Sequence, residues 1–350
     1  MKVLKTFSKG KIVSIVVLAI FVFALIIAGC GGDKKAEAPK APAAAEGAKY
    51  KIKLATQLPE AHPVAAAALV YAKKVNERSK GVIEVTVFNN GTLGQERDLL
   101  EGMKLGTIDM ANVNAAMIVS ISPRWQVFSL PYIFQSEEHF NKVVNGSVGQ
   151  ELFKEIEKVG LKGMAYQWSG FRSLTTKKGP INTPDDLKGL KIRTMPSKTM
   201  VDALNAMGAI ATPMDQGAVY NALQSGVLDG WENNPATVNA FKMNEVCPFF
   251  SYTNHFAAPN VMVMSQKSWD KLPPDMQKIV MEVAVESQKD ESDIFHNDEK
   301  QIVEKLKAAG MKFNEVDTKP FFERAKPVWK SSEEAVGKKI FDDIEALRAK

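Results

Sequence analysis

The sequence predicts an α/β protein built as two lobes. Strand and helix patterns alternate over residues 50–105, the same alternation returns after Lys162, and a helix-Gly-apolar-Asp segment occurs once in each stretch. Alternation of this kind marks a largely parallel sheet with helices on its faces. The two stretches are separated by a middle region, and a chain of this length more usually divides into two cores than builds one.

The chain opens with Lys2, Lys5, Lys9 and Lys11, then a mostly apolar run over residues 12–28, then Gly29-Cys30. A basic start, an apolar centre and small residues before a cut describe an export signal. Ile27-Ala28-Gly29-Cys30 also resembles a bacterial lipobox, which implies a signal peptide over residues 1–29, cleavage before Cys30 and a lipid on that cysteine. The competing reading is an uncleaved membrane helix, because the run approaches the roughly 17 to 25 residues that span a bilayer. Residues 30–49, mostly Ala, Pro, Lys, Gly and Glu, have almost nothing to bury and read as a disordered tether.

From Tyr50 the elements follow in order. Residues 50–58 alternate as a strand, and Pro63 opens an Ala-rich helix through Ser79. Residues 82–88 alternate again, and residues 95–105 read as a helix. After Lys162 come a strand over 164–168 and a helix start at Thr183-Pro184-Asp185-Asp186, with a capping residue, Pro at the first position and acids in the first turn. A short strand over 191–194 and helices over 197–207 and 216–225 complete the second stretch. The segment ending Gly106-Thr107-Ile108-Asp109 aligns with the one ending Gly226-Val227-Leu228-Asp229, each glycine suiting a left-handed helix cap.

Pro273-Pro274-Asp275 then starts a long helical pattern to about Ala308, with apolar positions at helical spacing that suit packing across the back of one or both lobes. In the last stretch, residues 320–347, Pro327 is a break point. The approximate division is therefore 50–160 for the first lobe, 161–260 for the second, and 261–350 for strands and helices returning across both.

Residues 1–49 hold eight lysines and three acids, so the whole formal net charge of +5 lies there. The remainder balances 37 basic against 37 acidic groups, which gives no support to nucleic-acid binding. With Cys30 lipidated, Cys247 has no partner and reads as a small buried apolar residue. The histidines at 62, 139, 255 and 296 show no ligand spacing, so no metal and no cofactor is expected. Without a nucleophile elbow or a phosphate loop, catalysis is not indicated, and two lobes closing on a ligand is the remaining use.

Arg193 ends the run Gly189-Leu190-Lys191-Ile192-Arg193, just before Met195-Pro196. A guanidinium at that strand end reaches the crevice where open α/β sheets bind ligands, and its planar fork suits a carboxylate. A surface ion pair is the alternative.

Five further segments accompany it. They are Leu93-Gly94-Gln95-Glu96-Arg97-Asp98, Leu130-Pro131-Tyr132-Ile133-Phe134, Gly170-Phe171-Arg172-Ser173, Thr212-Pro213-Met214, and Ala222 through Leu228-Asp229-Gly230-Trp231-Glu232-Asn233-Asn234. In this order the set resembles the solute-binding proteins of tripartite ATP-independent periplasmic (TRAP) transporters, the DctP-like family, over most of residues 50–329.

That resemblance implies a two-lobed, periplasmic-binding-protein-like fold with a hinge and a long helix spanning both lobes. It implies a non-enzymatic extracytoplasmic receptor that delivers an organic acid to the membrane subunits of a TRAP permease. Arg193 matches the family's carboxylate-binding arginine, Arg172 the second basic contact, and Asn233 the assisting amide. Glu96 and Asn114 fall on first-lobe positions that touch the rest of the ligand. Gln216 departs from the pattern, standing where many relatives carry an aromatic; its amide offers donors and an acceptor to a hydroxyl or carbonyl.

Trp168 and Trp231 are candidates for apolar walls or for core, and His62 for the cleft or merely a helix start. An ionised Glu96 would repel a second carboxylate and accept from hydroxyls, which favours a sugar acid such as a hexuronate. The same glutamate equally suits a helix N-terminus, and two arginines would suit a C4-dicarboxylate or a 2-oxoacid. An extracytoplasmic lyase or transferase on a two-lobed fold is the reading of another class, with Glu96 and His62 as its acid–base candidates. The protein is expected outside the cytoplasm, lipid-anchored to the cell membrane or in the periplasm.

Overall fold

The computed structural model describes residues 48–257 and 259–348. The predicted signal peptide, Cys30 and nearly all of the tether lie outside these residues. The strands are β1 (Tyr50–Thr56), β2 (Ile83–Phe88), β3 (Met110–Asn114), β4 (Leu161–Gln167), β5 (Arg172–Thr176), β6 (Lys191–Thr194), β7 (Ile210–Pro213), β8 (Gly230–Asn233), β9 (Phe249–Phe256), β10 (Asn260–Ser265) and β11 (Lys312–Glu315). The helices that matter below are α1 (Pro63–Arg78), α2 (Glu96–Leu105), α3 (Ala115–Ile118), α4 (Lys198–Met207), α5 (Gln216–Gln224), α6 (Pro235–Ala240), α7 (Gln266–Trp269) and α8 (Pro274–Ala308).

Two sheets form, in the orders β2-β1-β3-β10-β4 and β7-β6-β8-β5-β9-β11. Each begins with the same unit. In the first, β1 is parallel to both β2 and β3; in the second, β6 is parallel to both β7 and β8. The faint repeat in the sequence is therefore a repeat of topology, β1-α1-β2-α2-β3 against β6-α4-β7-α5-β8.

Its signature residues act alike in both units. Gly106 and Gly226 take left-handed φ of 84° and 80°, which a side chain would resist. The aspartates that follow each accept a backbone N–H from the unit's first strand, Asp109 Oδ2 from Lys53 at 2.9 Å and Asp229 Oδ2 from Lys191 at 3.0 Å.

Beyond each unit the sheets exchange strands. β10, coming after the second unit, lies antiparallel between β3 and β4, while β5 lies antiparallel between β8 and β9. Because β4 belongs to the first sheet, the chain first crosses after Gln167, and not at the 160/161 boundary expected from sequence. It crosses back between β9 and β10. The alternation after Lys162 was legible, but nothing in a single strand's pattern tells which sheet it joins.

α8 joins the two lobes from behind. It packs on α1 and β4 of the first lobe and on α6, which follows β8 of the second. Its buried positions Val280, Val283, Ala284, Ser287, Glu291 and Phe295 form one stripe, and Lys74–Asp290 and Arg78–Glu286 ion pairs lie along the α1 side. Phe295 packs under the first crossing. Gly170 there has φ of 71°, and a β-carbon on it would stand 2.7 Å from the Phe295 ring, so only glycine fits this turn.

One position on that stripe costs stability. Glu291 is fully buried, and among the described residues its carboxyl has only the Trp168 backbone N–H close by, outside good hydrogen-bond geometry, to favour the anion. Burial, with Glu137 nearby, raises its carboxyl well above the usual range. A carboxyl raised on folding stabilises the fold only while the unfolded chain is protonated too, so stability falls as pH rises above the unfolded value near 4.5. Glu291→Gln should therefore flatten the fall in unfolding free energy between pH 5 and pH 8, measured by urea titration. An unchanged slope would show that Glu291 is ionised in the fold.

Candidate functional site

The carboxyl ends of the parallel strands of both sheets point at one narrow cleft lined by residues of both. Glu96 and Asn114 come from the first lobe, at the start of α2 and the end of β3. Arg172, Arg193, Gln216 and Asn233 come from the second, at the start of β5, the end of β6, the start of α5 and the end of β8. The two short crossings, after β4 and after β9, add Ser169 and Asn260 between them.

The second-lobe wall is organised by a residue that the sequence reading passed over. Glu232, fully buried in β8, takes Arg172 in a two-pronged pair, Nε to Oε2 at 2.5 Å and Nη2 to Oε1 at 2.9 Å. Arg172 also donates to the Glu232 carbonyl at 2.9 Å and to Asn233 Oδ1 at 3.1 Å. Thr194 Oγ1 donates to Glu232 Oε1 at 3.0 Å, so the carboxylate joins β5, β6 and β8. His255 stands 4.0 Å away, its ring pushed down to about 4 by burial and thus uncharged at neutral pH.

Arg193 differs. Its side chain is buried, with Nε donating to the Met214 carbonyl at 2.8 Å and Nη1 to Gln216 Oε1 at 3.2 Å. Both partners are neutral. Among the described residues no carboxylate lies within ion-pair distance of its guanidinium. Burial lowers its pKa to about 10, which Glu232 and Glu96 oppose, so the cation persists at neutral pH. Gln216 Nε2 is buried without a partner, and Asn233, whose Oδ1 is occupied by Arg172 and the Asn234 N–H, keeps its amide donor.

On the opposite wall Glu96 is buried, with Oε1 accepting the Asn114 N–H at 2.6 Å. Burial lifts its carboxyl to about 7; the Asn114 N–H, Arg193 and Arg172 hold it from rising further. It therefore both begins α2 and faces the cleft, and near pH 7 it is only partly ionised. Asn114 Oδ1 caps α3 through the Ala116 N–H at 3.0 Å.

His62 is likewise both helix cap and cleft residue. Its Nδ1 accepts the Val64 N–H at 3.3 Å, which places the ring proton on Nε2, 3.0 Å from Thr237 Oγ1. Burial lowers the ring to about 3, so it stays neutral. Asn260 Nδ2 donates to Ser169 Oγ at 2.8 Å, and the Asn234 amide donates to the Ser169 carbonyl.

The two tryptophans are not cleft residues. Trp168 packs between Phe140 and Phe171, 5.2 Å from each ring, and Trp231 is wholly buried in the core. Leu58, Met195 and Phe241 supply the apolar lining instead. A large aromatic next to a site motif gains more from full burial than from lining a wet cleft. Glu232 did carry a signal, since an acid inside a short, otherwise uncharged strand needs a buried cation.

The model of the bacterial extracellular solute-binding protein family 7, DctP, matches residues 54–335. The chain belongs to this family. A TRAP periplasmic solute-binding protein from Pseudomonas putida F1, solved with bound D-glucuronate, is 34% identical to this family 7 protein, with a TM-score of 0.82 over 86% of this chain and 98% of that one. The 2,3-diketo-L-gulonate-binding periplasmic protein YiaO of Escherichia coli is 33% identical, over 72% of this chain and 78% of its own. The C4-dicarboxylate-binding protein DctB of Bacillus subtilis is 29% identical, over 82% and 83%. This family 7 protein is accordingly the solute receptor of a TRAP transporter.

Breaking the buried pair tests its structural role. Glu232→Gln leaves the Arg172 charge without its counter-ion and should lower the unfolding free energy by about 3–5 kcal/mol. Denaturant titration reads this directly, and a loss below ~1 kcal/mol would mean that the pair does not hold the second lobe together.

Proposed function

We propose that this receptor binds a sugar acid of the hexuronate class, its carboxylate on Arg193 and its hydroxyls on the amide and hydroxyl groups of the opposite wall. The observation that carries this reading is the buried Arg193 cation, which has neutral oxygens for partners and no contacting carboxylate. A buried cation of this kind is completed by an anion, and Asn233 and Gln216 stand with donors beside it. The ligands in the names of the three relatives differ in size and hydroxylation but share a carboxylate.

The site favours one carboxylate over two. Arg172 already gives Nε, Nη1 and Nη2 to Glu232 and Asn233, so it does not offer a second free fork. The abundance of Asn, Gln, Ser, Thr and His donors and acceptors suits a polyhydroxylated chain.

A lyase or transferase reading fares worse. His62 gives Nδ1 to a backbone N–H and directs Nε2–H at Thr237, which leaves no ring nitrogen free as a base. For the N-terminus we infer export by residues 1–29, a lipid on Cys30 and a tether through residue 49, which would hold the receptor near its permease.

Calorimetry against hexuronates, aldonates, C4-dicarboxylates and 2-oxoacids tests the reading. A hexuronate should bind most tightly, and Arg193→Ala should weaken it at least ~100-fold, since each hydrogen bond to a charged group contributes about 1.5–3 kcal/mol. Near-native affinity in the variant would remove Arg193 from the site.

A further inference from the structure

We propose that ligand capture takes up one proton from solvent at Glu96, so that the closed receptor holds the sugar acid's carboxylate on Arg193 and a neutral Glu96 opposite it. This rests on the carboxylate-receptor reading above and adds the charge state of the loaded cleft.

The argument is one of charge count in a buried space. Among the described residues lining the cleft, the charged side chains are Arg172, Arg193 and Glu96. Arg172 is balanced from behind by Glu232 at contact distance. That leaves Arg193 and Glu96, on opposite walls and not in contact, as the remaining pair of opposite charge. Counted over the lining alone, an ionised Glu96 balances Arg193, and Glu232 behind the wall and Asp215 beside it already add negative charge to the same surroundings. A ligand carboxylate seated on Arg193 adds a negative charge to the same desolvated volume and cancels the field that favours the Glu96 anion. Two carboxylates facing one guanidinium in a low-dielectric site cannot both stay ionised cheaply.

The surroundings of Glu96 offer no other relief. β3, α3 and β10 carry no titratable side chain, and burial holds His62 neutral. Asp215, ahead of α5, adds a further negative charge. On α2 itself Asp98 caps the Gln95 N–H and Arg97 is exposed. Lys51 and Lys53 of β1 are exposed, and Lys267, next to Asp270 on and after α7, reaches the far end of α2 at the Leu105 carbonyl.

The geometry also gives the proton a place. Oε1 of Glu96 already accepts the Asn114 N–H at 2.6 Å, so the proton belongs on Oε2, from which a carboxylic acid donates to a ligand oxygen. The balance is simple: ligand anion, ionised receptor and one proton give one complex, with no bond made or broken besides the O–H.

The sign of the pH effect follows. Glu96 sits at about 7 in its buried place opposite Arg193, and a ligand carboxylate on Arg193 moves it higher. Below about pH 6 it is protonated in both states, and affinity is level. Above about pH 7.5 each binding event must take up nearly a whole proton, and affinity falls towards tenfold per pH unit. The receptor therefore loads best on the acid side of neutrality.

Titration calorimetry of the full chain with D-glucuronate and D-galacturonate, at pH 6, 7, 8 and 8.5 in phosphate and in Tris, tests this. The expected result is an uptake close to one proton per ligand at pH 8, little uptake at pH 6, and about tenfold weaker binding between pH 7.5 and 8.5. Glu96→Gln should abolish both the uptake and the slope, whatever its absolute affinity. Binding without proton uptake in the native chain overturns the proposal alone, as does an undiminished slope in Glu96→Gln. If no acid binds at any pH, the carboxylate-receptor reading itself falls.

Discussion

Much of this protein's behaviour depends on one buried ion pair, Arg172 with Glu232. It joins β5 to β8, draws in Thr194 from β6, and through Arg172 fixes the Asn233 amide at the cleft edge. An ion pair so deeply buried is a poor source of net stability, because desolvating two charges offsets most of their attraction. Its value lies in geometry and in what it withholds. With Arg172 balanced, Arg193 is the cation in the cleft without a carboxylate in contact.

The fold places that cation where a ligand can be enclosed. Two equivalent parallel units turn their carboxyl ends towards each other, and β10 and β5 are exchanged antiparallel into the two sheets. Of the three crossings among the described residues, the third runs through α8 to β11, and the two short ones contribute to the cleft through Ser169 and Asn260, which hydrogen-bond to each other at 2.8 Å. A change at either short crossing therefore reaches the cleft floor, and α8 packs on elements of both lobes behind it.

The sequence made the elements legible for local reasons. Pro63, the Thr183-Pro184 start, the left-handed Gly106 and Gly226, and the break at Pro327 are each set by chemistry within a few residues, and each recurs in the structure. The repeat was visible because Asp109 and Asp229 do the same work for their units. Sheet membership was not legible: β4 reads like any strand, and its place beside β10 is decided by packing with residues a hundred positions away.

The site shows the same division. Arg193, Arg172, Asn233, Glu96, Asn114, Gln216 and His62 all line the cleft; the strand end of Arg193 and the helix start of His62 are legible in local pattern, and the other five come from the family resemblance. Their pairing was not foreseen. That Glu232 claims Arg172, and that Glu96 is only partly ionised, follow from burial, a quantity no local pattern contains. Trp168 and Trp231, open between wall and core in the sequence, lie in the core, since sequence proximity to a motif does not say which side of the sheet an aromatic takes.

The most direct measurement is a pair of calorimetric titrations, one with D-glucuronate and one with D-glucuronamide, its uncharged amide. A cleft organised around an unpaired Arg193 should bind the acid and lose at least ~100-fold in affinity for the amide, which keeps every hydroxyl but not the charge. Equal affinity for the two would contradict the claim that the carboxylate is what this site recognises.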